Sequence, residues 1–346
     1  MIMNIKKISF MLVFVLLLAG LVLSVEAQEE KYNVALSVVW EGNTYAMQSK
    51  DEFYAEVNRQ KDAGRLDNVY YLSAENSAEK QVSDLEDLYI RDIDILILQP
   101  VNPPALSDII EKFHDKGTIV IPCVSPLETD AYTVSMISDD KEFGAVGAEF
   151  LVEKLDGKGK IIALDGMDGI TVAINRWAGA QEVFNQYPDI EILAKPFADW
   201  DYAKGKVATE NLLVAFPEID GVWSSGGDMT RGAIEAFIEA DRPLVPMMGE
   251  DNNGFLKLWK EVEHMPGFEA IGCSMPTYFF ADALALGVDI LDGKVEVGKE
   301  VPRDIQLEVY KITEDNLDDF VRPDLSDSFW ANTKMEEDLL QELYGN

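Results

Sequence analysis

From Lys31 onward, short apolar runs rich in β-branched residues alternate with longer stretches of helical periodicity, and this alternation restricts the fold more than any other feature. Residues 32–40, 68–72, 93–99 and 118–124 read as strands. Between them, 45–64, 78–91 and 104–116 read as helices, the last stopped by Gly117. Strands apolar on both faces and separated by helices pair in parallel, with helices covering both sides of the sheet. A second series repeats the plan, with helices at 141–155, 173–186, 203–216 and 229–240 and strands at 160–164, 190–194, 221–224 and 244–248. A last strand and helix, 270–275 and 277–291, follow Pro266-Gly267. The expectation is an α/β protein of two doubly wound parallel-sheet domains. The tail after Lys311 lacks the apolar pattern of a third domain and reads as an extension packed over existing surface.

Ligands of open α/β sheets sit beyond the carboxyl ends of the strands. Four loops at such ends stand out: Trp40-Glu41-Gly42-Asn43-Thr44-Tyr45, Asp165-Gly166-Met167-Asp168-Gly169 leading to Arg176, Ala198-Asp199-Trp200-Asp201, and Gly249-Glu250-Asp251-Asn252-Asn253-Gly254. Together they offer aromatic faces, carboxylates, amides and one guanidinium. That mixture suits a neutral polyhydroxylated molecule, whose apolar faces lie against rings while charged groups fix its hydroxyls. Each residue also has a plainer role open to it: Trp40 and Tyr45 as core aromatics, Arg176 in a surface ion pair, Asp251 as a helix cap, Asp165 and Asp168 as turn formers. Gly226-Gly227-Asp228 lacks the following Lys of a phosphate-binding loop.

A net charge of −34 argues against nucleic acid and anionic membrane surfaces as partners, because both require clustered Lys and Arg. His114 and His264 are the only histidines, too few and too polar in setting for a hydrolytic triad or a zinc site. No metal and no cofactor is expected. Cys123 and Cys273 each close an apolar run and read as packed core thiols rather than as a disulfide. At the amino terminus, Lys6 and Lys7 precede an apolar run over 8–25 that ends in Val25-Glu26-Ala27. This has the form of an export signal over residues 1–27, cleaved near Ala27 to release a periplasmic protein.

The order and spacing of these loops resemble the periplasmic sugar-binding proteins of ABC importers, specifically the ribose-binding type, over roughly residues 31–310. The sharpest stretches are Asn43-Thr44-Tyr45, Asp165 to Gly169 with Arg176, Ala198 to Asp201, Asn211-Leu212-Leu213 to Pro217, and Gly249-Glu250-Asp251. The resemblance implies the type I periplasmic binding protein fold, with two lobes joined by three crossings near residues 137–139, 273–276 and 304–307. It divides the chain into a first lobe of 31–137 plus 276–304, a second of 138–275, a third crossing over 305–312 and an extension over 313–346. Ligand contacts carried over on matching positions are Asn43, Tyr45, Arg176, Trp200 and Asp251.

Where the ribose-binding pattern has an Asp-Arg pair, an Asn, a Gln and a second aromatic, this chain has Ser125-Pro126, Gly226, Ser274 and Ala46. These departures turn the expectation away from ribose itself. Ser125 and Ser274 stand at ligand positions, and Trp40, Asp228 and Asn252 are candidates for substitute contacts. The expected protein is a monomer that captures a sugar or polyol, closes on it and delivers it to a membrane ABC permease. A receptor subunit for chemotaxis or signalling is the alternative output. An exported glycosidase using Asp228 and Asp251 is a third and weaker reading.

Overall fold

The computed structural model describes residues 31–346; the leader assigned to 1–27 lies outside the described residues. The first series runs β1 (Tyr32–Val38), α1 (Thr44–Asp62), β2 (Leu66–Ser73), α2 (Ala78–Tyr89), β3 (Ile95–Leu98), α3 (Pro103–Asp115), β4 (Ile119–Val124) and β5 (Ser135–Ser138). The second runs α4 (Asp140–Lys154), β6 (Lys158–Leu164), α5 (Thr171–Phe184), β7 (Asp189–Ala194), α6 (Tyr202–Ala215), β8 (Gly221–Ser224), α7 (Gly227–Glu239), β9 (Met247–Glu250), α8 (Asn253–Val262) and β10 (Ala270–Ser274). Then follow α9 (Phe279–Leu291), β11 (Asp304–Leu307), β12 (Tyr310–Ile312), α10 (Leu317–Phe320) and α11 (Glu337–Tyr344).

The strands form two six-stranded sheets, ordered β11-β5-β4-β3-β1-β2 and β12-β10-β9-β8-β6-β7. All neighbours are parallel except β12, which runs antiparallel to β10. This is the expected pair of doubly wound domains. The central strands explain the legible signal: all four residues of β3 are buried, as are Val34, Ala35 and Leu36 of β1, because helices cover both faces. On the first sheet, α9 returns after the second series to pack Phe279, Phe280 and Leu284 against Val34, Leu36 and Ile95. The other face receives Leu85 of α2 and Ile110 and Phe113 of α3. On the second sheet, α4 and α5 cover one face and α6, α7 and α8 the other.

Three details differ from expectation. The strands β5, β11 and β12 did not stand out in the sequence, because they are three or four residues long and only partly buried. The strand expected over 244–248 begins at Met247, after Pro246, which lacks an N–H for the ladder. Its shift carries Glu250 from the loop into the strand end. Cys123 and Cys273 are buried free thiols in the cores of different sheets.

The helices α4 and α5 cross unusually close. A Cβ on Gly144 of α4 would lie 1.7 Å from the backbone oxygen of Arg176, and one on Gly179 of α5 would lie 1.9 Å from that of Lys141. Two missing side chains therefore set where the Arg176 backbone sits. Among the described residues no helix is long and apolar enough to cross a membrane.

Candidate functional site

The carboxyl ends of both sheets face a common cavity of about 110 Å³. Taking roughly 10–15 Å³ per water-sized group, it holds about seven to eleven such groups, the size of a small polyol or pentose. Its wall draws on Trp40 after β1, Asn43 and Tyr45 at the start of α1, Arg176 of α5, Trp200 before α6, Asp228 of α7, Glu250 of β9 and Phe279 of α9. The tail adds Trp330.

Helix caps fix these loops. Asn43 caps α1 by accepting from Ala46 N, Asp201 caps α6 through Lys204 N, and Asn252 caps α8 through Phe255 N. Three non-glycine residues of the cavity wall have left-handed backbone: Asn76 (φ 60), Val124 (φ 67) and Trp200 (φ 53). Each such conformation costs about 1–3 kcal/mol.

Three of the aromatic residues spend their polar groups on the protein. Tyr45 Oη donates to the carbonyl of Pro276 (2.7 Å) and Trp200 Nε1 to that of Ser225 (3.0 Å). Trp330 Nε1 donates to Thr44 Oγ1 (2.9 Å), which in turn donates to Asp228 Oδ2 (2.7 Å). That relay ties the start of α1 to the start of α7 across the cavity. Trp200 has its place because Gly166 has no side chain: a Cβ there would lie 2.1 Å from the indole Cζ2. A Gly166→Ala variant is expected to fold with an altered near-ultraviolet tryptophan dichroism signal and to bind ligand about tenfold more weakly, a loss of ~1.4 kcal/mol. Wild-type affinity in that variant would show that the indole face contributes nothing.

Arg176 is buried and almost fully engaged by protein. Its Nε donates to Asp140 (3.1 Å), Nη1 to the Ser225 carbonyl (2.6 Å) and Glu250 (3.2 Å), and Nη2 to Glu250 (3.1 Å). Its guanidinium lies 3.6 Å from the ring centroid of Phe143. Burial draws its pKa down, but Glu250 and Asp140 outweigh that and hold it above its ordinary value. Burial pushes both carboxylic acids up, against the pull of Arg176. Asp228 is pushed up to about 6 by burial, with the Thr44 hydroxyl opposing. The cluster carries two carboxylates and Asp228 against one guanidinium, so the cavity is an unfavourable place for an anion.

Of the positions read from the sequence, Trp40, Asn43, Tyr45, Arg176, Trp200 and Asp228 line this cavity. Ser125, Asp251, Asn252 and Ser274 are buried outside its wall. Asp251 Oδ2 accepts from Ser274 Oγ (3.0 Å) and Asn332 N (2.7 Å), so these two expected ligand positions bond each other, and Asn252 is occupied as a cap. Asp165 is a structural residue, paired with Lys195 (2.5 Å). Glu250 and Trp330 line the cavity and were not singled out as site residues in the sequence. The pairing of Phe329 with Trp330 in an otherwise polar tail was the available signal. Among the described residues no cluster of three or more His, Cys, Asp or Glu could hold a metal ion.

Residues 34–294 match the family model described as periplasmic binding protein domain. The Xylitol-binding protein of Mycolicibacterium smegmatis is 30% identical over 251 residues, covering 72% of this chain and 70% of that protein. The Ribose import binding protein of Bacillus subtilis is 26% identical over 283 residues, 82% of this chain and 89% of that one. Among solved structures, an ABC transporter solute binding protein from Thermobispora bispora superposes with a TM-score of 0.78 at 22% identity, covering 90% of this chain and 94% of that one. A solute binding protein from Bacillus halodurans with bound myo-inositol gives a TM-score of 0.71 at 20% identity, covering 84% and 96%. With its two parallel sheets facing one aromatic-walled cavity, this chain belongs to the periplasmic binding protein family, whose members bind ligands and are not enzymes.

Proposed function

We propose that this protein captures a small neutral polyol or sugar between its two lobes, closes on it and delivers it to a membrane permease of the ABC type. The observation that carries the reading is the cavity itself: its wall includes the indoles of Trp40, Trp200 and Trp330 and the phenol ring of Tyr45, with a guanidinium already neutralised by Asp140 and Glu250. Such a wall covers the apolar faces of a polyhydroxylated molecule and offers carboxylate acceptors to its hydroxyls. It disfavours a carboxylate ligand. The names of the relatives, among them the Xylitol-binding protein and the Ribose import binding protein, agree with this solute class.

In this reading the lobes comprise 31–137 with 276–304, and 138–275, the third crossing spans 305–312, and the leader is cleaved near Ala27 to leave a monomer in the periplasm. Closure stores the signal, because ligand favours the closed form only by the difference in its affinity for the two forms.

A thermal-shift screen of residues 28–346 against xylitol, D-ribose, myo-inositol and glycerol, with xylonate, D-ribonate and glycerate as the matching carboxylates, tests it. A neutral solute at a hundred times its Kd adds about 2.7 kcal/mol, a shift of a few degrees in Tm. The expected pattern is a shift with one or more neutral solutes and none with their carboxylates. An aldonate that stabilises as strongly as its alditol would sink the charge argument, and silence across the panel would sink the solute class.

A further inference from the structure

The tail beyond β12 does more than cover a surface, because it grips both halves of the molecule at adjacent residues. On the side of the second sheet, Asn253 at the start of α8 is fully buried. Its Nδ2 donates to the carbonyls of Arg322 (2.8 Å), Leu325 (3.2 Å) and Ser326 (3.0 Å), its Oδ1 accepts from Arg322 N (2.9 Å), and its own N donates to the Phe329 carbonyl (2.7 Å). On the side of the first sheet, Gln48 of α1, also fully buried, makes a two-way pair with the next residue. Gln48 Nε2 donates to the Trp330 carbonyl (2.9 Å) and Trp330 N donates to Gln48 Oε1 (2.8 Å). Glu52, one turn further along α1, accepts from Thr333 Oγ1 (2.7 Å).

Phe329 thus holds α8 and Trp330 holds α1 with a single peptide bond between them, which leaves no slack. The start of α1 and the start of α8 cannot separate unless one set of buried hydrogen bonds breaks. Polar groups so left unpaired in the interior are costly. The Trp330 side chain stands at this junction, edge-on to Tyr45 with ring centroids 5.1 Å apart, and lines the cavity.

We infer that the tail is a fourth connection between the lobes and that it makes Trp330 a specificity-determining wall of the cleft. The ligand half of this inference rests on the cleft being the solute site. The lobes then pivot about the Phe329-Trp330 junction, and the indole keeps its place in the wall whether the far mouth of the cleft is open or closed. Trp330 lies outside residues 34–294, so the part of the chain that matches the family model does not contain this wall.

The test uses the full mature chain with spin labels at Glu79→Cys and Asp168→Cys, exposed positions near the Asn76–Met167 contact that joins the two halves at 3.4 Å. The native thiols are buried. In ligand-free protein, Gln48→Leu is expected to lengthen and broaden the label distance distribution relative to wild type. Asn253→Ala, which releases the tail from the other side, is expected to do the same, and circular dichroism establishes that each variant is folded. With the solutes named above, Trp330→Ala is expected to change the ratio of affinities between the two best binders by at least tenfold, and Trp330→Phe by less. A wild-type distance distribution in both folded tail variants overturns the fourth connection. An unchanged affinity ratio in Trp330→Ala overturns the specificity role. Should wild type bind none of the panel, the solute reading fails, while the distances in ligand-free protein still decide the connection.

Discussion

An Arg176→Met variant is expected to lose about 3–5 kcal/mol of stability and all measurable solute binding, the cost typical of removing one partner from a buried ion pair. The guanidinium is the sole cation hydrogen-bonded to Asp140 and Glu250 among the described residues, and both carboxylates are buried. Without it, two carboxyl groups remain in the interior and must either stay charged without a partner or take up protons. The expected consequence is a lower urea midpoint at pH 7.5, with part of the loss recovered at pH 5. The same argument predicts which change rescues the fold. Combining Arg176→Met with Asp140→Leu and Glu250→Met replaces the whole triad by apolar side chains, and such replacements are often neutral or stabilising. Stability should therefore return in the triple variant, while binding should not, because Arg176 and Glu250 form part of the cavity wall. Urea denaturation and calorimetric titration of the single and triple variants separate the two effects. A single variant as stable as wild type would mean that the triad is not the electrostatic keystone its geometry indicates.

The triad also shows where sequence reasoning reaches and where it stops. Arg176 was legible because it follows a strand-end loop, and loops beyond the carboxyl ends of parallel strands meet by the geometry of the fold. Asp140 and Glu250 were not, because their importance lies in meeting Arg176 from two other elements. Glu250 was further obscured by Pro246, which moves the strand toward it. The sheets themselves were readable, since strands such as β1 and β3 are apolar on both faces, whereas β5, β11 and β12 take their strand conformation from a neighbouring strand rather than from their own few residues. Asparagine is ambiguous for a different reason. Asn43 and Asn252 occupy the same kind of position after a strand and both cap a helix, yet only Asn43 also lines the cavity. Local sequence does not tell these apart. Trp330 is the extreme case: its partners Thr44 and Gln48 lie at the other end of the chain, and no periodic pattern surrounds it.

Between pH 7.5 and pH 5 the protein is expected to become more stable, by about 4 kcal/mol from Asp251 and Asp228 alone at ~1.36 kcal/mol per unit, with Asp140, Glu250 and Glu52, also raised by burial, acting in the same direction. Asp251 is pushed up to about 7 by burial and the neighbouring Glu250 charge, and Asp228 up to about 6 by burial. Both would titrate near 3.9 in the unfolded chain. Across this window the folded state therefore binds more protons than the unfolded one, and stability falls as pH rises. Below the unfolded value both states are protonated and the gain saturates. There the opposite class takes over: Asp324, held below the usual carboxylate range by its hydrogen bonds to Arg322, and Asp304, held down by Tyr132 and Ser135, lose their contribution as pH falls. A stability maximum near pH 4–5 follows, lower than is usual for a globular protein. Relief of surface repulsion at a net charge of −34 acts in the same direction, but salt screens it, whereas the buried term persists. Urea unfolding at 0.5 M salt isolates the buried part, and Asp251→Asn, which keeps an acceptor for Ser274 and the Asn332 N–H, should remove about two-thirds of what this pair contributes to the slope. A pH profile that is flat at high salt, or a slope that Asp251→Asn leaves intact, would detach these two interior carboxylates from the stability of the fold.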